Sequence, residues 1–211
     1  MNMTLTFRNL LISLFVLCSS GAFAQGYGDR NISLGLTVNP NMGLFRFDED
    51  SNVDGKSKAG FSYGLIADIG FARNYYFSTG LQINTIKGRL EYPQNSSFPN
   101  KDVRLQYAEI PLTLKMKTSD INSRRFYGQF GFTTGIKVSS KESLDGTDKT
   151  TGVDGSSLLR LGLLIGGGLE WRFDNNLSII TGLSYNNGFT KAFNEGKPKA
   201  SYLALNLGLL F

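Results

Sequence analysis

The chain has 211 residues, of which 41% are hydrophobic, and its formal net charge is only +5, so a disordered polyelectrolyte is excluded. It contains no histidine and one cysteine, which excludes histidine-based catalysis, histidine metal ligands, intrachain disulfides and cysteine-cluster metal sites. The 25 glycines, the 12% aromatic residues and only 5 prolines favour strands over helices.

The first 24 residues have the pattern of a secretory signal peptide. Arg8 precedes an apolar core at residues 10–18, and an A-x-A cleavage site ends at Ala24, before Gln25. Lipoprotein processing at Cys18 is the alternative, but Leu17 is a poor residue before a modified cysteine. We therefore predict a leader over residues 1–24 and a single domain over residues 25–211.

After the leader, apolar residues recur at every second position, which is the period of a β-strand. Eight such segments cover residues 32–38, 61–71, 77–83, 110–116, 130–138, 159–173, 177–185 and 203–211. No apolar run is long enough for a membrane-spanning helix. The apolar stripes run over about 9 to 11 residues, the length that a tilted strand needs to cross a bilayer.

The connections between the segments alternate between long and short. Residues 40–58, 88–103, 140–157 and 189–200 form long polar connections, and residues 72–74, 118–124 and 174–176 form short ones. This alternation is typical of outer-membrane barrels, in which long loops face the cell exterior and tight turns face the periplasm.

Aromatic residues lie toward both ends of this threading, with aliphatic residues between them. The predicted periplasmic belt contains Phe71, Tyr75, Phe77, Phe126, Trp171, Phe173 and Phe211. The predicted outer belt contains Phe61, Tyr63, Tyr185 and Phe189. Because aromatic belts mark both interfaces of a membrane barrel, the sequence predicts an all-β, eight-stranded antiparallel up-and-down transmembrane β-barrel with its apolar residues outside.

A family resemblance supports this fold. The Ala-Phe-Ala-Gln exit, the eight alternating segments, the segment from Tyr107 to Leu112 and the terminal Phe211 resemble the PorT-type outer-membrane β-barrel proteins of Bacteroidota. The resemblance covers roughly residues 25–211. It implies insertion by the barrel-assembly machinery, with Phe211 as the terminal signal, and some relatives serve a secretion system linked to gliding.

A barrel of eight strands has an interior that side chains just fill. The positions predicted to face this lumen are Asp68, Gln82, Asn84, Glu109, Lys115, Lys137, Arg160, Glu170 and Arg172. Charges in a low-dielectric interior must pair, so we predict a polar plug of ion pairs rather than a conduction path. The inward glycines would leave room for these long side chains.

Pro111 predicts a bulge or a break in pairing, because proline cannot donate to a ladder. The apolar residues also change there from odd-numbered positions, at Val103, Leu105 and Tyr107, to even-numbered positions, at Ile110 and Leu112. A bulge would let Glu109 face the lumen and pair with a basic residue. A catalytic role for Glu109 is conceivable, but no second motif supports it.

Two acidic stretches in the long connections define no clear site. The first resembles a calcium loop, but Lys56 and Lys58 occupy ligand positions and Phe61 replaces the closing Glu. The first stretch contains Asp48, Asp50, Asn52, Asp54 and Gly55. The second stretch contains Glu142, Asp145, Asp148 and Asp154. The sequence therefore predicts no metal, no cofactor and no enzymatic activity.

The function predicted from these features is structural: a membrane anchor that presents surface loops, or an accessory component of an envelope or secretion complex. The alternatives are a narrow channel for small solutes, a soluble exported lipocalin-like carrier and a surface hydrolase. The expected partners are outer-membrane lipid, the barrel-assembly machinery and envelope proteins. Nucleic acid is excluded, because the basic residues are scattered and the chain is exported.

Overall fold

The computed structural model describes residues 32–46, 54–92, 100–144, 150–151, 157–174, 177–192 and 198–211. The predicted leader, most of the calcium-like stretch and the acidic residues Asp145, Asp148 and Asp154 lie outside these ranges. No helix in the described part of the chain has the length and apolar character needed to cross a membrane.

Eight long strands build the fold. They are β1 Ile32–Arg46, β2 Asp54–Ala72, β3 Tyr75–Glu91, β4 Lys101–Lys117, β5 Arg124–Leu144, β6 Leu159–Arg172, β7 Ser178–Gly188 and β8 Lys199–Leu210. Each strand pairs antiparallel with the next, and β8 returns to β1 with Leu210 opposite Gly35. The short segment Thr150–Thr151 pairs with the end of β5. The predicted eight-stranded antiparallel barrel is therefore confirmed.

The apolar stripes of the strands face outward. Leu65, Leu112 and Leu163, on three different strands, are exposed by 57%, 43% and 38%. The alternate positions on the same strands carry buried Asp68, Glu109 and Arg160. Because side chains alternate between the two faces of a strand, this barrel has an apolar outer surface and a polar interior, as predicted.

Short turns close one end of the barrel, which we call the short-turn end. Arg73 and Asn74 join β2 to β3, and Asn122 and Ser123 form a tight turn with φ values of 50° and 61°. Phe71 and Tyr75 lie at this end with their rings 6.4 Å apart. The opposite end, where residues 47–53 and 93–99 join the strands, is called the long-connection end.

At the long-connection end, the polarity of the two faces reverses. Phe45, Ile86, Leu90, Leu105 and Tyr202 point inward there and form a buried apolar cluster. Arg46, Lys87 and Arg104 occupy the alternate, outward positions. We call this part of the barrel the extension, and the apolar outer band below it the belt.

The extension corrects the predicted bounds of the long connections. β1 continues to Arg46, β2 begins at Asp54, β3 continues to Glu91 and β4 begins at Lys101, all inside segments predicted as loops. The error has a physical cause: outside the lipid, the outward positions meet water and become polar, while the inward ones become apolar. Polar and apolar residues still alternate through these segments, but here the apolar residues point inward and the polar residues point outward.

At Pro111, where the sequence predicts a bulge or a break in pairing, the structure shows a break in pairing with β3 and no bulge against β5. Pro111 pairs regularly with Thr133 of β5, and the register between β4 and β5 shifts between Gln106 and Tyr107 instead. On the other side, the β3–β4 pairs step from Thr79–Leu112 to Gln82–Glu109 and leave out Pro111, as its missing N–H requires. The parity change in β4 comes from the reversal of polarity, because Leu105, Tyr107 and Glu109 all point inward.

Candidate functional site

The interior of the barrel holds two clusters of buried, paired charges. Glu109 and Arg160 centre the first cluster, in the half of the barrel nearer the long-connection end. Asp68, Lys115 and Lys117 centre the second, near the short-turn end. We call them the Glu109 network and the Asp68 network.

In the Glu109 network, every carboxylate oxygen has a donor. Arg160 Nη1 donates to Glu109 Oε1 at 3.0 Å, and Tyr202 Oη and Asn84 Nδ2 donate to Oε2 at 2.9 and 3.1 Å. Arg160 Nη2 also donates to Asn186 Oδ1 at 2.6 Å and to the carbonyl of Ala200 at 2.9 Å. The buried charge pair is thus held by hydrogen bonds to residues of three other strands, β3, β7 and β8, as a stable buried pair requires.

In the Asp68 network, two lysines share two carboxylates. Lys115 Nζ lies 2.8 Å from Asp68 Oδ1, and Lys117 Nζ lies 2.9 Å from Asp68 Oδ2 and 2.7 Å from Glu170 Oε2. Ser78 donates a further hydrogen bond to Asp68 at 2.7 Å. The two buried lysines and the two buried carboxylates balance in charge. Arg125, which lies 3.9 Å from Glu170 Oε1, is partly exposed and also lies 3.8 Å from Asp120.

Glycines make the space that these side chains fill. A Cβ at Gly135 would lie 2.9 Å from Glu109 Cγ, and a Cβ at Gly162 would lie 2.5 Å from Asn186 Oδ1. Both distances are shorter than carbon and oxygen atoms tolerate without movement. The glycines of the polar stripe are therefore part of the packing around the charges.

The structure places the predicted lumen residues in different surroundings. Asp68, Lys115 and Glu170 join the Asp68 network, while Asn84, Glu109 and Arg160 join the Glu109 network. Gln82 lies opposite Glu109 in the β3–β4 register and lines the internal cavity. Lys137 lies opposite Tyr107, and Arg172 pairs with Asp120 at the short-turn rim, where it is partly exposed.

The predicted lumen residues did not include Lys117, Asn186 and Tyr202, although the parity of their strands identifies them as inward. Lys117 follows Lys115 by two positions and so points to the same side of β4. Asn186 and Tyr202 occupy the polar-stripe positions of β7 and β8, next to the outward Tyr185 and Leu203. Tyr202 was not recognised as an inward residue, because aromatic residues are expected on the apolar, outward face of a strand.

Between the two networks lies a polar cavity of about 60 Å³. It is lined by Ser78, Lys115, Asn206, Tyr127 and Tyr202, among others. A water molecule needs about 10–15 Å³ of such space, so the cavity holds only a few waters. No group of three Asp, Glu or Cys residues within the described ranges is placed to hold a metal ion.

The outer face of the extension also carries ion pairs. Unlike those of the Glu109 and Asp68 networks, they are open to solvent. Asp102 accepts hydrogen bonds from Arg89 Nε at 2.9 Å and from Lys58 Nζ at 2.5 Å. The hydrogen bond from Arg89, with the nearby charge of Lys58, lowers the pKa of the Asp102 carboxyl below its ordinary value, against the opposing effect of partial burial.

Comparison with known proteins gives one family and several structural likenesses. Residues 23–202 match the family described as "Outer membrane protein beta-barrel domain". Neisserial surface protein A is similar in structure with a TM-score of 0.53, at 14% identity over 85% of this chain and 96% of that one. The likeness shows the fold alone.

Two further solved structures are similar at lower scores. OprG from Pseudomonas aeruginosa has a TM-score of 0.48, at 10% identity over 85% of this chain and 95% of that one. Ail of Yersinia pestis has a TM-score of 0.38, at 16% identity over 85% and 98%. The search of curated proteins found no match.

Proposed function

The chain belongs to the outer membrane protein β-barrel domain family, and from this premise we propose that it is a non-enzymatic membrane anchor that presents its long connections at the cell surface. In this role it stands alone or serves as an accessory component of an envelope or secretion complex. The wall is fixed in lipid by the belt, and the extension carries the connections away from the bilayer.

The closed interior is the observation that carries this proposal. The Glu109 and Asp68 networks fill the lumen with paired charges, and the space between them measures only about 60 Å³. Solute passage through such a barrel would require breaking buried ion pairs, which is strongly unfavourable when one partner is left uncompensated. An anchoring role needs no passage, so the packed lumen favours it over the narrow channel.

The extension supports a presenting role. Its inward residues Phe45, Ile86, Leu90 and Leu105 are all at most 5% exposed, so this part of the barrel has its own apolar core. A packed core beyond the belt gives the connections a rigid base at a distance from the membrane. A simple lipid-embedded plug would not need one.

Planar-bilayer recordings test the closed lumen. The purified full chain should give no stepped conductance, because the paired charges of the two networks occupy the lumen of the described barrel. Stepped conductance that changes when Lys115 is replaced by Met would contradict the anchoring proposal and support a channel.

Cysteine labelling in intact cells tests the orientation. Lys56 is exposed at the long-connection end and Arg73 at the short-turn end, and the only natural cysteine, Cys18, lies in the proposed leader. A membrane-impermeant maleimide should label Lys56→Cys and leave Arg73→Cys unlabelled until the outer membrane is permeabilised. The reverse pattern would place the long connections in the periplasm.

We also propose that residues 1–24 direct export and that Phe211 helps the barrel-assembly machinery to recognise the chain. Phe211 and Leu34 exchange two backbone hydrogen bonds, at 2.7 and 3.0 Å, where β8 meets β1. Deletion of Phe211 should slow insertion in the presence of the machinery by more than it slows spontaneous insertion into vesicles. Equal slowing in both assays would mean that Phe211 acts only through barrel closure.

A further inference from the structure

Four basic residues lie in one row across four neighbouring strands of the extension. Lys58 of β2 pairs with Lys87 of β3, Lys87 pairs with Arg104 of β4, and Arg104 pairs with Lys141 of β5. Lys87 and Arg104 continue the outward faces of their strands, and paired residues project on the same side. Since strands are about 4.8 Å apart, the whole row spans roughly 15 Å.

This row is unfavourable for the protein alone. Like charges directly opposite each other on paired strands destabilise a sheet, and here three successive pairs are alike. Asp102 offsets the charge of Lys58, but Lys87, Arg104 and Lys141 have no ion pair among the described residues. A bound anion would relieve the repulsion between these three cations.

The side chains of the row share one groove. Lys58, Lys87, Arg104 and Lys141 all line an open groove of about 510 Å³, together with Asp102 and Glu142. Four cations therefore face two carboxylates. Asp102 already pairs with Lys58 and Arg89, and Glu142 lies 3.8 Å from Lys101, so the excess charge falls on Lys87, Arg104 and Lys141.

The depth of the row identifies the kind of anion. Going down β3 from Lys87, the outward positions are Thr85 and then Ile83 of the belt, so the row lies four residues beyond the belt. Four residues rise about 13 Å along a strand, or about 10 Å along the membrane normal at a tilt near 40°. That level is at the outer edge of the headgroup layer, which is roughly 5–7 Å thick on each side of the hydrocarbon, and the long side chains of lysine and arginine can extend back into it.

We propose that Lys87, Arg104 and Lys141, with Lys58 beside them, bind the phosphate groups of a membrane lipid in the leaflet around the long-connection end. Lysine and arginine are the side chains that pair best with phosphate, and the belt directly below holds the acyl chains of the same molecule. This site goes beyond the anchoring role and does not depend on which side of the membrane the long connections face.

Native mass spectrometry of the full-length folded chain in detergent tests the site. The probe is an equimolar mixture of phosphatidic acid, which has a phosphate monoester headgroup, and phosphatidylcholine. The test variant is Lys87→Gln/Arg104→Gln/Lys141→Gln. The control is Arg46→Gln/Lys191→Gln/Lys199→Gln, which removes three exposed positive charges at the same end but outside the row, where β1 meets β8.

The wild-type chain and the control should retain phosphatidic acid in preference to phosphatidylcholine. In the test variant, the ratio of bound phosphatidic acid to bound phosphatidylcholine should fall about tenfold, which corresponds to the loss of one charge-assisted hydrogen bond. Inorganic phosphate added at the lipid concentration should not displace the lipid, because it lacks the acyl chains. Arg104→Gln alone should give a partial loss, and the gel mobility of unheated samples verifies folding of every variant.

Three results would overturn the proposal. One is equal retention of the two lipids by the wild-type chain, and another is an equal loss in the two triple variants, which would indicate a general charge effect. The third is displacement of the lipid by inorganic phosphate, which would indicate a site for the free ion.

Discussion

At the scale of single residues, the stability of the fold depends strongly on the buried pair of Glu109 and Arg160. Both side chains are at most 3% exposed, and Glu109 is fully hydrogen-bonded only while Arg160, Asn84 and Tyr202 are in place. Removal of one partner leaves the other as an uncompensated charge in a medium of low dielectric. Each partner is therefore more sensitive to replacement than an exposed charge would be.

Arg160→Met should lower the free energy of unfolding by about 3–5 kcal/mol, because Glu109 then remains buried without its cation. Urea unfolding in lipid vesicles measures the change. Glu109→Gln/Arg160→Met is the matched control and should recover most of the loss, since neither charge remains. A double variant as unstable as Arg160→Met would show that the loss is one of packing.

Asp102 makes a pH-dependent contribution to the stability of the fold. Unlike the buried pair of Glu109 and Arg160, it is open to solvent. Its pKa is lowered in the folded chain, so it stabilises the fold at neutral pH, and this stabilisation is lost as the pH falls below the ordinary value of 3.8. Asp102→Asn should cost less than about 1 kcal/mol at neutral pH, because the pairs are screened by solvent. The difference from wild type should shrink on acidification, and a difference that is constant with pH would contradict the assignment.

At the scale of elements, the sequence predicts every strand of the barrel but not where each one ends. Alternation shows that a strand is present, and lipid on the outside makes the outward stripe apolar. In the extension, water replaces lipid, and residues such as Leu105 and Arg104 exchange roles. A period of two contains no information on which solvent is outside, so these residues were assigned to loops.

Leu105 and Gln106 test this interpretation of the extension. Leu105 is fully buried among inward residues, so Leu105→Ala should lower the free energy of unfolding by about 2–5 kcal/mol. Gln106→Ala, on the outward face of the same strand, should change it by less than about 0.5 kcal/mol. Equal effects on unfolding in vesicles would mean that the extension has no core of its own.

At the scale of the whole molecule, the belt fixes how the barrel meets the bilayer. Leu112 lies in the middle of the outward face of β4, between Thr79 of β3 and Phe132 of β5. Leu112→Arg should lower the free energy of unfolding in vesicles by about 2–4 kcal/mol, because it places a charge near the bilayer midplane. Gln106→Arg, outward on the same strand but beyond the belt, is the control and should cost less than about 1 kcal/mol, because only repulsion from the nearby Arg104 and Lys87 opposes it.

The candidate site was predictable in its composition but not in its pairing. Parity along single strands identifies the inward residues, including Asp68, Glu109 and Arg160. Which of them meet depends on the register of all eight strands around the barrel, since Arg160 of β6 reaches Glu109 of β4 and Asn186 of β7. That register is a property of the closed cylinder, and no local stretch of sequence specifies it.

The reversal of polarity along β3 and β4 sets the immersion depth of the protein. Sliding the barrel outward by two residues would expose Ile83 and Ala108 to water, and sliding it inward would draw Lys87 and Arg104 into hydrocarbon. Both displacements are unfavourable, so the cylinder has little freedom to move along the membrane normal. In a bilayer of unmatched thickness, the surrounding lipid must stretch or thin, and the deformed annulus would itself attract or repel neighbouring membrane proteins.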